Sequence, residues 1–144
     1  MHFPFLFVAV MKFYRSQIGG VSNRDLELGR GKIRDLIGPA VGASNVDVHV
    51  NTIDAGTGRG EIHYHARSEN VYLVLEGLLE VCVEGGERHL LQEGEIGFIP
   101  AGVVHTAGNG GDDKPVKILE IYAPAGDDFY EVEDWPEGIE PPTE

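Results

Sequence analysis

The stretch Val71-Tyr72-Leu73-Val74-Leu75-Glu76-Gly77-Leu78-Leu79-Glu80-Val81-Cys82-Val83-Glu84-Gly85-Gly86 decides the fold class. Two runs rich in β-branched and aliphatic residues are joined through one glycine and closed by two more, as antiparallel strands and their reversals require. The same pattern continues outward. Val46, Val48 and Val50 alternate with Asp47, His49 and Asn51, a period of two that gives each set its own sheet face. Further strands are predicted over 61–66, 88–92, 95–99 and 116–123. Glu93-Gly94, Pro100-Ala101-Gly102 and Gly108-Asn109-Gly110-Gly111 serve as turns. Strands recurring about every eight to twelve residues indicate a sandwich or barrel. The one helix expected is short, over 31–37, and stopped by Gly38-Pro39. The chain carries no helical period of ten or more residues, which argues against an α/β architecture.

At 144 residues the chain makes one ordinary domain, able to fold without disulfide staples. Its 20 glycines fit a fold of many tight turns. Asp and Glu number 24 against 11 Lys and Arg, a net charge of -13 that repels phosphate backbones and anionic lipid headgroups. Nucleic acid and membrane surfaces are therefore not expected partners, and no apolar run reaches the roughly 18 residues of a bilayer span. The single cysteine, Cys82, sits in an alternating strand, reads as a small packing residue, and fits a reducing cytoplasm. The expected organisation is an N-terminal arm over 1–44 with an edge strand and the short helix, a barrel core over 45–123, and an acidic strand and extended tail over 124–144. The edge strand is the apolar stretch 3–11. Met11-Lys12-Phe13-Tyr14 offers an alternative natural start.

The chemistry concentrates in His63-Tyr64-His65-Ala66-Arg67-Ser68-Glu69. Residues i and i+2 of a strand share a face, so His63 and His65 project side by side and can clasp one ion. Glu69 follows across a short turn, and a chain reversal would bring its carboxylate to the same ion. Imidazole suits Zn, Cu, Fe and Ni, and a carboxylate adds Mn. About thirty residues on comes Gly94-Glu95-Ile96-Gly97-Phe98-Ile99-Pro100-Ala101-Gly102-Val103-Val104-His105-Thr106-Ala107-Gly108-Asn109.

Together these stretches resemble the two signature motifs of the cupin superfamily. Gly94, Pro100, Gly102, His105 and Asn109 match the second in full. His63, His65 and Glu69 match the core of the first. Its edges depart: Thr57 stands where the family has glycine, with Gly58 one place on, and Gly77 comes one place late. The resemblance covers about residues 45–123. It implies an all-β, single-domain double-stranded β-helix (jelly-roll) barrel, with His63, His65, Glu69 and His105 as ligands of one divalent metal ion: Fe, Mn, Ni, Cu or Zn.

Other pocket assignments rest on parity. Glu61 shares a face with His63 and His65 and is the candidate proton-transfer group. Val71, Leu73 and Leu75 share a face with Glu69 and would form an apolar wall unless a bulge intervenes. Tyr72 then faces the other way. His49 lies on the strand before the first motif and reads as a half-exposed strand residue or a pocket residue. Arg59 and Arg67 flank the first motif and read as solvated loop charges ahead of partners for a substrate carboxylate, and Phe98 as core ahead of a stacking platform. His2 and His89 match no motif.

Three functions fit the resemblance. The first is a metal-dependent enzyme acting on a small organic molecule, as a dioxygenase-like or other oxidoreductase. The second is a sugar or sugar-phosphate isomerase, disfavoured by the scarcity of Lys and Arg on the barrel strands. The third is a non-catalytic module binding a small ligand or metal. A homodimer is expected, pairing through edge strands.

Overall fold

Burial alternates along strand after strand in the computed structural model of the protein, which describes residues 12–144. The described strands are β1 (Arg24–Asp25), β2 (Gly31–Ile37), β3 (Asp47–Ile53), β4 (His63–Tyr64), β5 (Glu69–Glu76), β6 (Leu79–Val83), β7 (Glu87–Leu91), β8 (Ile96–Ile99), β9 (His105–Asn109), β10 (Val116–Ala123) and β11 (Tyr130–Glu131). They form two antiparallel sheets, ordered β1-β2-β3-β10-β5-β8 and β11-β4-β9-β6-β7. This is the all-β, double-stranded β-helix architecture expected. Among the described residues no helix is long and apolar enough to cross a membrane.

The helix expected over 31–37 is instead β2, paired on one side with β1 and on the other with β3. A seven-residue helix gains too little to offset its nucleation, whereas β3 needs a neighbour opposite β10. Gly31 shows how close the pairing is: a Cβ there would lie 1.9 Å from the Thr52 carbonyl oxygen. The edge strand expected over 3–11 falls outside the described residues. The segment after 124 is no free tail. Trp135 is buried and packs with Cys82 and Val104, Pro141 is fully buried, and Arg59 donates to the carbonyls of Pro141 and Pro142. Arg59 also bridges Glu80 at 3.0 Å, so it is no solvated loop charge. Phe98, expected in the core, is 55% exposed on β8, where Ile99 takes the inward place.

Three adjacent strands change character along their length, and this positions the site. At one end the inner faces of β3, β10 and β5 carry Ile53, Val116, Ile118 and Val74, all buried in the main core with Leu79 and Ile99. Each such side chain contributes about 1.5–3 kcal/mol through burial. At the other end the same faces carry His49, Glu120, Tyr122 and Asn70. The register places His49 opposite Glu120 and Tyr122 opposite Asn70. The barrel is thus a packed plug at one end and a polar chamber at the other.

Candidate metal centre

Three imidazoles meet in that chamber. His63 on β4 and His105 on β9 are direct cross-strand partners, and His65 follows β4. One ligating nitrogen from each lies within 4.8 Å of the others. Each ring is oriented from behind. The Nδ1–H of His63 donates to the Glu61 carbonyl at 2.7 Å, that of His65 to the Asp128 carbonyl at 2.6 Å, and that of His105 to the Val103 carbonyl at 2.9 Å. A carbonyl only accepts, so each Nδ1 holds the proton and each Nε2 keeps its lone pair. The Nε2 atoms of His65 and His105 are buried without a hydrogen-bond partner. Burial pushes His63 and His105 down to about 4, so both are neutral at physiological pH. Neutral, pre-oriented imidazoles with unshared lone pairs are what a divalent ion requires.

Glu69 does not join them. It is exposed at the first position of β5, whose inner face carries Asn70, Tyr72 and Val74. The turn over 66–68 breaks the parity started by His63 and His65, so the strand resumes with even-numbered residues inward. For the same reason Val71, Leu73 and Leu75 do not wall the pocket, and Tyr72 does. Glu61 lines the cavity as expected, half-buried, with its carboxyl raised by burial. His49 also lines it and is buried.

Two carboxylates that sequence reasoning missed organise the chamber. Glu120 is buried on β10 and accepts from His49 Nε2 at 3.0 Å, Asn51 Nδ2 at 2.7 Å, Asn70 Nδ2 at 3.1 Å and the Tyr122 hydroxyl at 2.8 Å. Burial alone would raise its carboxyl, but these bonds and the His49 charge outweigh that and hold it at about 2. His49 is correspondingly raised: burial opposes its charge, and Glu120 restores it. A glutamate sharing the parity of Val116 and Ile118 was the available signal. Asp128 had none. Its carboxylate accepts the backbone N–H groups of Ala66, Arg67 and Ser68 at 2.7–2.8 Å and so shapes the turn after His65. Phe129 then stacks on His63, with ring centroids 4.3 Å apart.

His63 and His65 line a cavity of about 330 Å³. Arg30 closes another wall. It is buried, donates to the Ala107 carbonyl at 2.8 Å, and lies 3.6 Å from Glu27. Gly60 makes room for it, since a Cβ there would lie 2.6 Å from Arg30 Nη1.

Residues 49–122 match the family model of the cupin domain. The chain belongs to the cupin superfamily. A curated relative, an uncharacterized protein of Aquifex aeolicus (strain VF5), is 38% identical over 65 residues. That match takes in 45% of this chain and 51% of the relative, so it spans about half the relative's length. Among solved structures, the polyketide cyclase RemF from Streptomyces resistomycificus superposes with a TM-score of 0.72 at 21% identity, covering 88% of this chain and 90% of that one. A double-stranded β-helix protein from Klebsiella pneumoniae gives 0.67 at 19% identity, covering 87% and 100%. At these identities the likeness is one of fold. This cupin keeps the three histidines of the family's motifs close together and turns its motif glutamate away.

Proposed function

We propose that this cupin is a metal-dependent enzyme acting on a small organic acid. The observation that carries the reading is the convergence of His63, His65 and His105 on one point beside the buried His49–Glu120 pair, inside a cavity of about 330 Å³. The three histidines would hold one divalent ion, Fe, Mn, Ni, Cu or Zn, which when bound supplies Lewis-acid polarisation of a coordinated oxygen. The protein's own residues do the rest. Arg30 lines the cavity as a buried cation balanced by Glu27 at 3.6 Å, a pair that a substrate carboxylate would have to share. Phe129, stacked on His63, covers one face of that ring. The His49 ring, backed by Glu120, is the group suited to hold a proton and exchange it with substrate, and it takes the role first given to Glu61.

A second reading is an oxygen-using oxidoreductase of the dioxygenase type, favoured by a donor set rich in imidazole, which suits iron, nickel and copper as readily as zinc. Sugar-phosphate isomerisation ranks lower. Arg24 and Arg30 line the cavity, but each already faces a carboxylate, Asp35 and Glu27 respectively. A non-catalytic binding module would use the buried His49–Glu120 pair only as a structural link between β3 and β10.

Elemental analysis of protein from metal-supplemented cells tests the centre. We expect about one equivalent of a divalent metal per chain, and its loss in His63→Ala/His65→Ala with the circular dichroism of the barrel retained. Undiminished uptake by that variant refutes the assignment. Dioxygen uptake in the presence of carboxylic acids, catechols and diketones separates the readings: consumption favours the oxidoreductase, and oxygen-independent turnover favours proton transfer.

A further inference from the structure

We propose that Asn70, not Glu69, supplies the fourth side chain of the metal centre, through its carboxamide oxygen, so that the donor set carries no charge. This rests on the metal-centre reading above and changes its chemistry. Three observations lead to it. First, β5 resumes after the 66–68 turn with Asn70 inward and Glu69 exposed, so Asn70 is the first residue after His65 that this strand turns into the chamber. Second, Asn70 is 0% exposed, and its amide orientation is fixed. Nδ2 gives its hydrogens to Glu120 Oε2 at 3.1 Å and to the Ile121 carbonyl at 3.2 Å, both of which only accept. Oδ1 must therefore be the outer atom, and it is buried with no partner.

Third, its oxygen shares the lack of a partner with two of the imidazole nitrogens. Asn70 pairs across the sheet with Tyr122, whose ring lies 4.8 Å from that of His65. The neighbouring orphaned atoms, Nε2 of His65 and Nε2 of His105, are likewise lone-pair acceptors. A cation would satisfy these three acceptors together, and leaving each buried and unpartnered costs about 1–3 kcal/mol. Asn51 Oδ1 is also unpartnered, but the register puts Asn51 opposite Ile118, one inward position nearer the apolar plug. Asn70 would thus bridge two layers, its unpartnered oxygen serving the ion and its nitrogen bonded to Glu120.

A carboxamide oxygen is a weaker donor than a carboxylate and leaves the full charge of the ion in place. That charge favours an anionic substrate as the neutralising partner, consistent with an organic acid.

Isothermal titration with Co²⁺, together with the visible d–d spectrum, tests the assignment on wild type, Glu69→Gln, Asn70→Ala and His63→Ala. Glu69→Gln should leave both affinity and spectrum unchanged. Asn70→Ala should weaken binding by about tenfold or more and alter the spectrum. His63→Ala should abolish binding. On wild type alone, ¹⁵N spectra should show the Asn70 side-chain amide displaced by paramagnetic Co²⁺, a reading that stands even if Asn70→Ala fails to fold. A changed Glu69→Gln spectrum, or an Asn70 amide that Co²⁺ does not move, overturns the proposal while the metal centre stands. Identical titrations for wild type and His63→Ala overturn the metal centre itself, and this inference with it.

Discussion

Asp128 shows how a residue sixty positions away governs the histidine motif. Its carboxylate gathers three consecutive backbone N–H groups, and its carbonyl fixes His65. Burial opposes the charge, but the N–H bonds prevail and hold the carboxyl down at about 2, from 3.8. A carboxyl lowered by folding stabilises the native state above its unfolded value, and that stability disappears as pH falls towards its folded one. Asp128→Ala should therefore cost about 1–3 kcal/mol near neutral pH by stranding those donors. The gap from wild type in thermal midpoint should narrow between about pH 4 and about pH 2. A gap independent of pH across that range would mean that the charge of Asp128 does not stabilise the turn. The sequence was legible at His63 and His65, where a period of two suffices, and at His105 through its motif. It was not legible at Asp128 or His49, whose roles come from pairings 60 and 71 residues distant that no local pattern encodes.

At the scale of elements, the parity of β5 and the identity of β2 decided what sequence reasoning could reach. Strand runs and turn glycines located the barrel because alternation is a local property. Glu69 was misplaced because a turn tied to Asp128 resets which side chains face inward, and the resetting is a tertiary event. The sequence of β2 reads as a helix because seven residues carry little periodic information, while its partners β1 and β3 lie elsewhere in the chain. Gly31 tests that pairing directly. With Thr52 O at 1.9 Å from where a Cβ would stand, and the clash being with backbone, β2 or β3 must move to admit a side chain. Gly31→Ala should lower stability by about 2–4 kcal/mol, read as a shifted urea midpoint. A substitution that shifts the midpoint by no more than a surface change would mean that the two strands do not approach so closely.

At the scale of the whole molecule, the described residues leave β1, β8, β11 and β7 as the outer strands of the two sheets, and β8 and β7 differ most. Among the described residues β8 closes one side of the six-stranded sheet and pairs only with β5. It presents Ile96, 67% exposed, and Phe98, 55% exposed, on its outward face. An exposed apolar edge strand is a template for another strand, and natural proteins blunt such edges with charge or cover them. β7, the edge of the other sheet, is blunted in this way, with Glu87, Arg88 and His89 along it. β8 has no such charge, and antiparallel pairing of an edge with its own copy satisfies the same backbone groups on both chains. We propose that a second copy of this chain covers β8. Light scattering should then return the mass of two 15.7 kDa chains. Phe98→Lys should shift that mass towards one chain without loss of metal, because Phe98 points away from the chamber. A wild-type protein that scatters as a single chain at micromolar concentration would show that β8 stands uncovered by its own kind.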